Sequence, residues 1–170
     1  MLTAVWSIAR RFPNVGDLPD TFMQMLYLMR HGKSSWDTPG LTDRERPLLP
    51  KGIERTEKRA RELRDNGVEL DAIWTSDAVR AAQTAEIVRN VLGLQPENVF
   101  VEPMIYDADH VNDLRRVVLS IPDEFETVLL VGHNPLITEL ARLLTRNPLD
   151  EMKTSQIVAV EMTERNQSTG

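Results

Sequence analysis

The chain reads as an α/β protein, because short apolar runs alternate with helical patterns from residue 25 onward. Alternation of that kind builds a sheet covered by helices on both faces. A second observation agrees: the run at 127–132 (TVLLVG) is continuously apolar, as a strand buried on both faces is. A mostly parallel sheet is expected, with at least one strand a candidate for reversal. The length, 170 residues, fits one domain, since domains commonly run to roughly 100–200 residues. It also supports a real core, because a chain of about 150 residues hides roughly two-thirds of its unfolded surface.

Residues 25–30 (MLYLMR) are short, apolar and followed by a glycine break, the pattern of a buried strand. Residues 33–50, with Pro39, Gly40, Pro47 and Pro50, read as a long loop. A helix opens at Pro50, carries Ile53, Thr56, Ala60 and Leu63 on one stripe, and stops at Asn66-Gly67. A second strand is predicted at 71–75. Ser76 or Asp77 then caps a helix with Ala81, Ala85, Val88 and Leu92 on one face and Gly93 at its end. A third short strand covers 98–102, and residues 110–120 read as helix up to Pro122. After the strand at 127–132, Asn134 and Pro135 supply a cap and a first position for the last helix, which carries Leu136, Leu140 and Leu143 or Leu144. Residues 155–162 (SQIVAVEM) form the final strand. No repeat or low-complexity segment interrupts this order.

The domain is expected over 23–163, with an N-terminal extension at 1–22 and a polar tail at 164–170. In the extension a short apolar run precedes Arg10 and Arg11, the reverse of a secretory signal. That run is far shorter than the about 20 apolar residues a membrane span needs. A disordered or loosely docked extension is the expectation, with a matrix-targeting arm or a weak surface anchor as alternatives. The net charge of −6 argues against a general nucleic-acid binder. With no cysteine in the chain, disulfides and thiolate metal sites are excluded. We expect a cytoplasmic protein with no nucleic-acid or membrane partner.

Ligand sites in open α/β sheets gather beyond the carboxyl ends of parallel strands, and three unusual features fall there. Arg30, His31 and Gly32 follow the first strand, Arg80 lies in the first turn of the helix after the second, and His133 stands between the strand at 127–132 and its helix. Two of the chain's three histidines thus occupy matching strand-to-helix junctions. Phosphoryl transfer gives these residue types one purpose. The transferring group spreads negative charge over three oxygens, which two arginines hold by forked, charge-assisted hydrogen bonds. One imidazole, protonated, adds a donor; the other attacks phosphorus and carries the group as phosphohistidine. Gly32 and Gly132 let backbone approach closely. No metal or other cofactor is demanded. Each piece has a plainer reading: RHG arises by chance, Arg80 is an ordinary solvated helix residue, and His133 satisfies a backbone carbonyl. Their conjunction, in order and each at a strand end, is what argues for a shared phosphate site.

The stretches LYLMRHGKSSW, RPLLPKG, TSDAVRAAQTA and LLVGHNP together resemble the histidine phosphatase superfamily, also called the phosphoglycerate mutase-like group. RHGKSSWDTPGLTDRERPLLPKG looks most like its SixA-type phosphohistidine phosphatase branch. The likeness runs from about Leu26 to Val160. It implies a single-domain, three-layer αβα sandwich with a mixed, mainly parallel sheet and no metal requirement. By the same resemblance His31 is the phospho-accepting nucleophile, Arg30, Arg80 and His133 form the phosphate pocket, and Arg46 is a further pocket arginine. It also implies a protein acting in phosphohistidine-based signal transduction.

Two departures stand out. Leu49 replaces the Ser or Thr that often follows RPL in the branch, so the next helix lacks a usual cap. Superfamily phosphomonoesterases usually supply a carboxylate as general acid; here Glu102, Asp107 and Asp109 are the candidates, with His110 beside them read as a surface residue. Phosphohistidine, with its labile P–N bond, needs less help from an acid than an alkyl phosphate. The chain also has little room for the lid insertions of larger members, and an open site suits a phosphorylated side chain on another protein. The expected activity is metal-independent hydrolysis of protein phosphohistidine, with phosphate as product. The alternatives are a phosphatase of small phosphomonoesters or phosphoanhydrides, and a phosphate-binding module without turnover.

Overall fold

Strand β1 (Met25–Arg30) pairs in parallel with β4 (Thr127–Gly132) along its whole length, which sets Arg30 opposite Gly132. The computed structural model describes residues 23–36 and 39–162; the expected N-terminal extension and polar tail fall outside them. β2 (Ala72–Thr75) adds to the far side of β4, and β3 (Val99–Val101) to β2, both in parallel. β5 (Ile157–Glu161) closes the other edge antiparallel to β1. The order is β3-β2-β4-β1-β5, a mixed, mainly parallel sheet.

Successive strand residues point to opposite faces, and two cores result. Leu26, Leu28, Trp74 and Leu130 face α4 (Val111–Leu119) and α5 (Leu136–Thr145), whose Leu114, Val117, Ile137 and Leu140 cover them. Tyr27, Met29, Ile73 and Val131 face α1 (Pro50–Asp65) and α2 (Val79–Leu92), which contribute Ala60, Leu63, Ala81, Ala85 and Val88. The architecture is a three-layer αβα sandwich, as expected. A short helix, α3 (Met104–Asp107), lies between β3 and α4 and has no counterpart among the elements expected from the sequence.

Several boundaries shift for local reasons. A 3-10 turn over Pro96–Asn98 delays the third strand by one residue. The fifth begins only at Ile157, because the Ser155 N–H bonds the carbonyls of Arg30 and His31 instead of a ladder partner. Neither Ser76 nor Asp77 caps α2: Ala78 holds that position, while the two side chains are engaged with His133 and Arg44. Asn134 does not cap α5 either; Pro135 is its N-cap, and Asn134 bonds Glu151 and Met152. Leu49 stands before α1 without a side-chain cap, as the sequence indicates.

The stripe of α1 is also rotated from the expected one. Ile53 is 40% exposed, and Gly52 takes its place against the sheet side. The cause is close packing on the segment that follows His31: a Cβ on Gly52 would collide with the Lys33 carbonyl oxygen. Leu49 N–H also bonds that oxygen at 2.8 Å, so the start of α1 clamps the loop. Gly52→Ala is therefore expected to cost about 1–3 kcal/mol by overpacking, a Tm loss of roughly 2–12 °C at this chain length. Thermal unfolding checks it; an unchanged Tm would mean the loop yields freely.

Candidate active site

Because β1, β2 and β4 run parallel, their carboxyl ends meet on one edge, and the residues just past them converge there. Arg30, His31, Arg46, Arg80 and His133 all line one open cavity of about 630 Å³, with Asp43 and Trp36 at its side. Of the residues singled out from the sequence, those five are brought together. Glu102, Asp107 and Asp109 do not line it. Glu102 accepts the Met104 N–H at the start of α3, and Asp107 is ion-paired with Arg44 at 2.8 Å. Asp109 lies on the exposed turn before α4. His110 is the N-cap residue of that helix, its N–H held by Asp113.

The His31 ring has a defined orientation. Nδ1 lies 2.7 Å from the Gly32 carbonyl oxygen, which can only accept, so Nδ1 carries the proton. Nε2 is left with its lone pair toward the cavity, where the Arg80 Nε–H approaches to 3.3 Å. Burial depresses this histidine to about 4, against the pull of the Gly32 carbonyl and together with the charges of Arg80, Arg30 and Arg46. Near neutral pH the ring is uncharged, the form in which an imidazole can act as a nucleophile.

His133 stacks at an angle beside it, with ring centroids 4.9 Å apart. Its Nε2 is 2.6 Å from Ser76 Oγ, which also accepts the Ala78 N–H. A serine hydroxyl has one proton to give; directed at Nε2, it leaves the His133 proton on Nδ1. Among the described residues Nδ1 is buried without a partner, and so is Arg30 Nε. An unsatisfied buried polar group costs about 1–3 kcal/mol, and both of these belong to residues lining the cavity. His133 is held down to about 3 by burial, then by the charges of His31 and Arg80, with Asp43 opposing.

The arginines are fixed by groups that carry no motif in the sequence. Arg80 donates from Nη2 to Asp43 Oδ2 at 2.8 Å and from Nη1 to the Asp43 carbonyl. Arg46 reaches Asp43 Oδ1 with Nε and Nη2, and Ser34 and Ser35 with Nη1, while its guanidinium lies 3.5 Å over the Trp36 ring. Tyr106 OH donates to Asp43 Oδ2 at 2.8 Å and its ring packs edge-on against His133. Burial alone would raise the Asp43 carboxyl, but hydrogen bonds from Tyr106, Arg46 and Arg80 outweigh it and hold the group at about 2. Asp43 stands three residues before Arg46 inside a loop without periodicity, and that spacing to a candidate arginine was the one available hint. Arg30 bonds the Met152 carbonyl at 2.7 Å and approaches Glu151 at 3.6 Å.

Stability should carry the mark of the two depressed histidines. In the unfolded chain they titrate near 6.5, so between that pH and about 4 for His31 or 3 for His133 the unfolded state binds more protons. Stability is then full above pH ~6.5 and is lost as pH falls toward 4. His31→Gln is expected to flatten that fall. Calorimetric Tm values from pH 7.5 to 4 check it, and an unchanged slope in the variant would count against the burial argument.

Known proteins share this sequence pattern and fold. The sequence model of the histidine phosphatase superfamily, branch 1, matches residues 26–101. An uncharacterised chloroplastic protein of Arabidopsis thaliana is 33% identical over 128 residues, 71% of this chain and 58% of that one. An uncharacterised protein of Mycobacterium tuberculosis is 31% identical over 125 residues, covering 68% of this chain and 69% of the relative. Phosphohistidine phosphatase SixA of Escherichia coli is 29% identical over 146 residues, 85% and 89% of the two chains. Among solved structures, the protein histidine phosphatase SixA complexed with tungstate superposes with a TM-score of 0.70 at 27% identity, covering 79% of this chain and 86% of that one. A chain provisionally described as SixA of Agrobacterium tumefaciens has a TM-score of 0.74 at 24% identity, over 83% and 93% of the two chains, and speaks for the fold.

Proposed function

Because this chain belongs to the histidine phosphatase superfamily, in its SixA-type branch, we propose that it hydrolyses phosphohistidine on a partner protein. The phosphoryl group enters the cavity with its oxygens on Arg80, Arg46, Arg30 Nε and His133 Nδ1–H, which satisfies the two orphaned buried atoms. The tetrahedral tungstate carried by a solved relative is an oxyanion of that kind. Nε2 of His31 attacks phosphorus as the P–N bond of the substrate breaks. The departing imidazole keeps the electron pair and, with a proton on its other nitrogen, leaves uncharged. Water then attacks the phosphorylated Nε2, the new P–N bond breaks, and inorganic phosphate takes the water's proton.

One observation carries the choice of substrate. Among the described residues Asp43 is the only carboxylate lining the cavity, and two arginines and a tyrosine hold it ionised at about 2. An ionised carboxylate has no proton to give an alkoxide, whereas an imidazole that already carries a proton on its other nitrogen leaves uncharged without one from the enzyme. The exposed Trp36, 76% accessible at the rim, gives an apolar surface to a partner protein. We place the reaction in the cytoplasm.

The test compares turnover of a phosphohistidine-bearing protein domain with a panel of small phosphate esters and anhydrides, with His31→Ala as control. Faster release from phosphohistidine than from every ester supports the reading; the reverse order replaces it with a general phosphomonoesterase, and binding without turnover replaces it with a phosphate-binding module.

Asp43 also opposes any incoming anion. At an effective dielectric near 20, one unit charge about 10 Å away is worth about 1–2 kcal/mol. Asp43→Asn is therefore expected to tighten inhibition by inorganic phosphate roughly fivefold to thirtyfold, with the steric fit kept. Weaker phosphate inhibition in that variant would show that orienting Arg46 and Arg80 matters more than the repulsion.

A further inference from the structure

We propose that a basic groove beside the phosphate cavity docks an acidic stretch of the phosphoprotein substrate. The proposal rests on the phosphohistidine reading above and says where the substrate chain lies beyond its phosphoryl group. The groove, about 560 Å³, runs between α1 and the segment 150–157, with Arg55, Lys58 and Arg59 on one wall and Lys153 on the other. It adjoins the phosphate cavity, since Arg55, Lys153 and Thr154 line both.

Charge separates this face from the rest of the molecule. The chain carries −6, yet the two cavities together are lined by eight lysines and arginines against four carboxylates. Elsewhere Arg44, Arg61, Arg64, Arg89 and Arg116 each hold a carboxylate, while the exposed Arg142 bonds the Leu149 carbonyl. Arg55, Lys58 and Lys153 make no ion pair among the described residues. Two of the groove's own acids are engaged, Glu62 with Arg59 and Glu151 with Arg30 and Asn134, which leaves Asp150 opposing.

Shape selects the occupant. From Arg55 to Glu62 the wall follows α1 for roughly 10 Å at ~1.5 Å per residue, the reach of about three extended residues at ~3.3–3.6 Å each. An elongated trough beside the phosphate site, in which Arg55, Lys58 and Lys153 hold no ion pair among the described residues, fits carboxylates along a polypeptide better than one further phosphate on a small molecule. Exposed charges of this sort set encounter and specificity.

The experiment uses the full chain and a labelled peptide with a non-hydrolysable phosphohistidine analogue between Asp and Glu residues, beside the same peptide with Asn and Gln. By anisotropy the acidic peptide should bind about tenfold tighter, at under roughly 1 kcal/mol per exposed pair over several pairs. That advantage should vanish in Lys58→Glu/Arg59→Glu, whose two residues line the groove and not the phosphate cavity, and shrink as salt shortens the screening length from ~10 Å. Turnover of phosphorylated imidazole by the double variant should stay within about twofold of the parent, since exposed substitutions leave the fold intact. Equal binding of the two peptides, or an unchanged preference in the variant, overturns the proposal. A small bisphosphate that competes better than the acidic peptide, and loses that advantage in the variant, overturns it in favour of a small substrate. Binding is read apart from catalysis, so loss of all phosphoramidate turnover with the charge preference intact would sink the phosphohydrolase reading alone.

Discussion

His31→Ala is expected to abolish phosphate release, lowering kcat/KM by roughly four orders of magnitude or more, as removal of a covalent nucleophile does elsewhere. The expectation follows from orientation as much as identity. The Gly32 carbonyl takes the Nδ1 proton, and that single hydrogen bond leaves Nε2 as the ring atom able to attack. The neutral state persists because burial and three arginines disfavour a further proton. Rapid quench with labelled substrate should trap an acid-labile, alkali-stable phosphoprotein in the parent and none in the variant. A phosphorylated His31→Ala protein would move the nucleophile to His133, whose ring lies 4.9 Å away, and would exchange the roles of the two histidines.

Arg80→Lys should fall nearly as far, by about a thousandfold in kcat/KM, within the range seen when transition-state arginines are lost. Arg80 works at three points at once: Nε toward His31, and two nitrogens on the carbonyl and carboxylate of Asp43. A lysine ammonium is a point charge on a flexible stem and cannot span that fork. The fold should hold, because Arg46 and Tyr106 still bind Asp43. Steady-state kinetics beside a thermal melt separate the two effects. A loss of less than tenfold with normal stability would assign the phosphate chiefly to Arg30, Arg46 and His133.

Local pattern was enough for much of this molecule. An apolar run ending in Arg30 and His31, and another ending at Gly132 before His133, define where strands stop, and parallel pairing carries both ends to one edge. That is why Arg30, His31, Arg80 and His133 could be singled out from the sequence: each sits at a strand-to-helix junction whose position follows from local pattern. Other features depend on which distant groups meet. Asp43 carries no signal of its own in a loop, and it matters because α2 brings Arg80 and α3 brings Tyr106 to the same carboxylate. Asp107 resembled an acid by position along the chain, but Arg44 reaches it first. Gly52 replaced Ile53 on the inner face of α1 because the Lys33 carbonyl leaves no room for a Cβ. The sequence by itself determined the α/β architecture and the residues at the strand ends, because periodicity and chain breaks are local. Only the tertiary structure decided the protonation of the histidines, the pairing of the arginines and the ionised state of Asp43, because hydrogen bonds and desolvation are set by neighbours far apart in the chain.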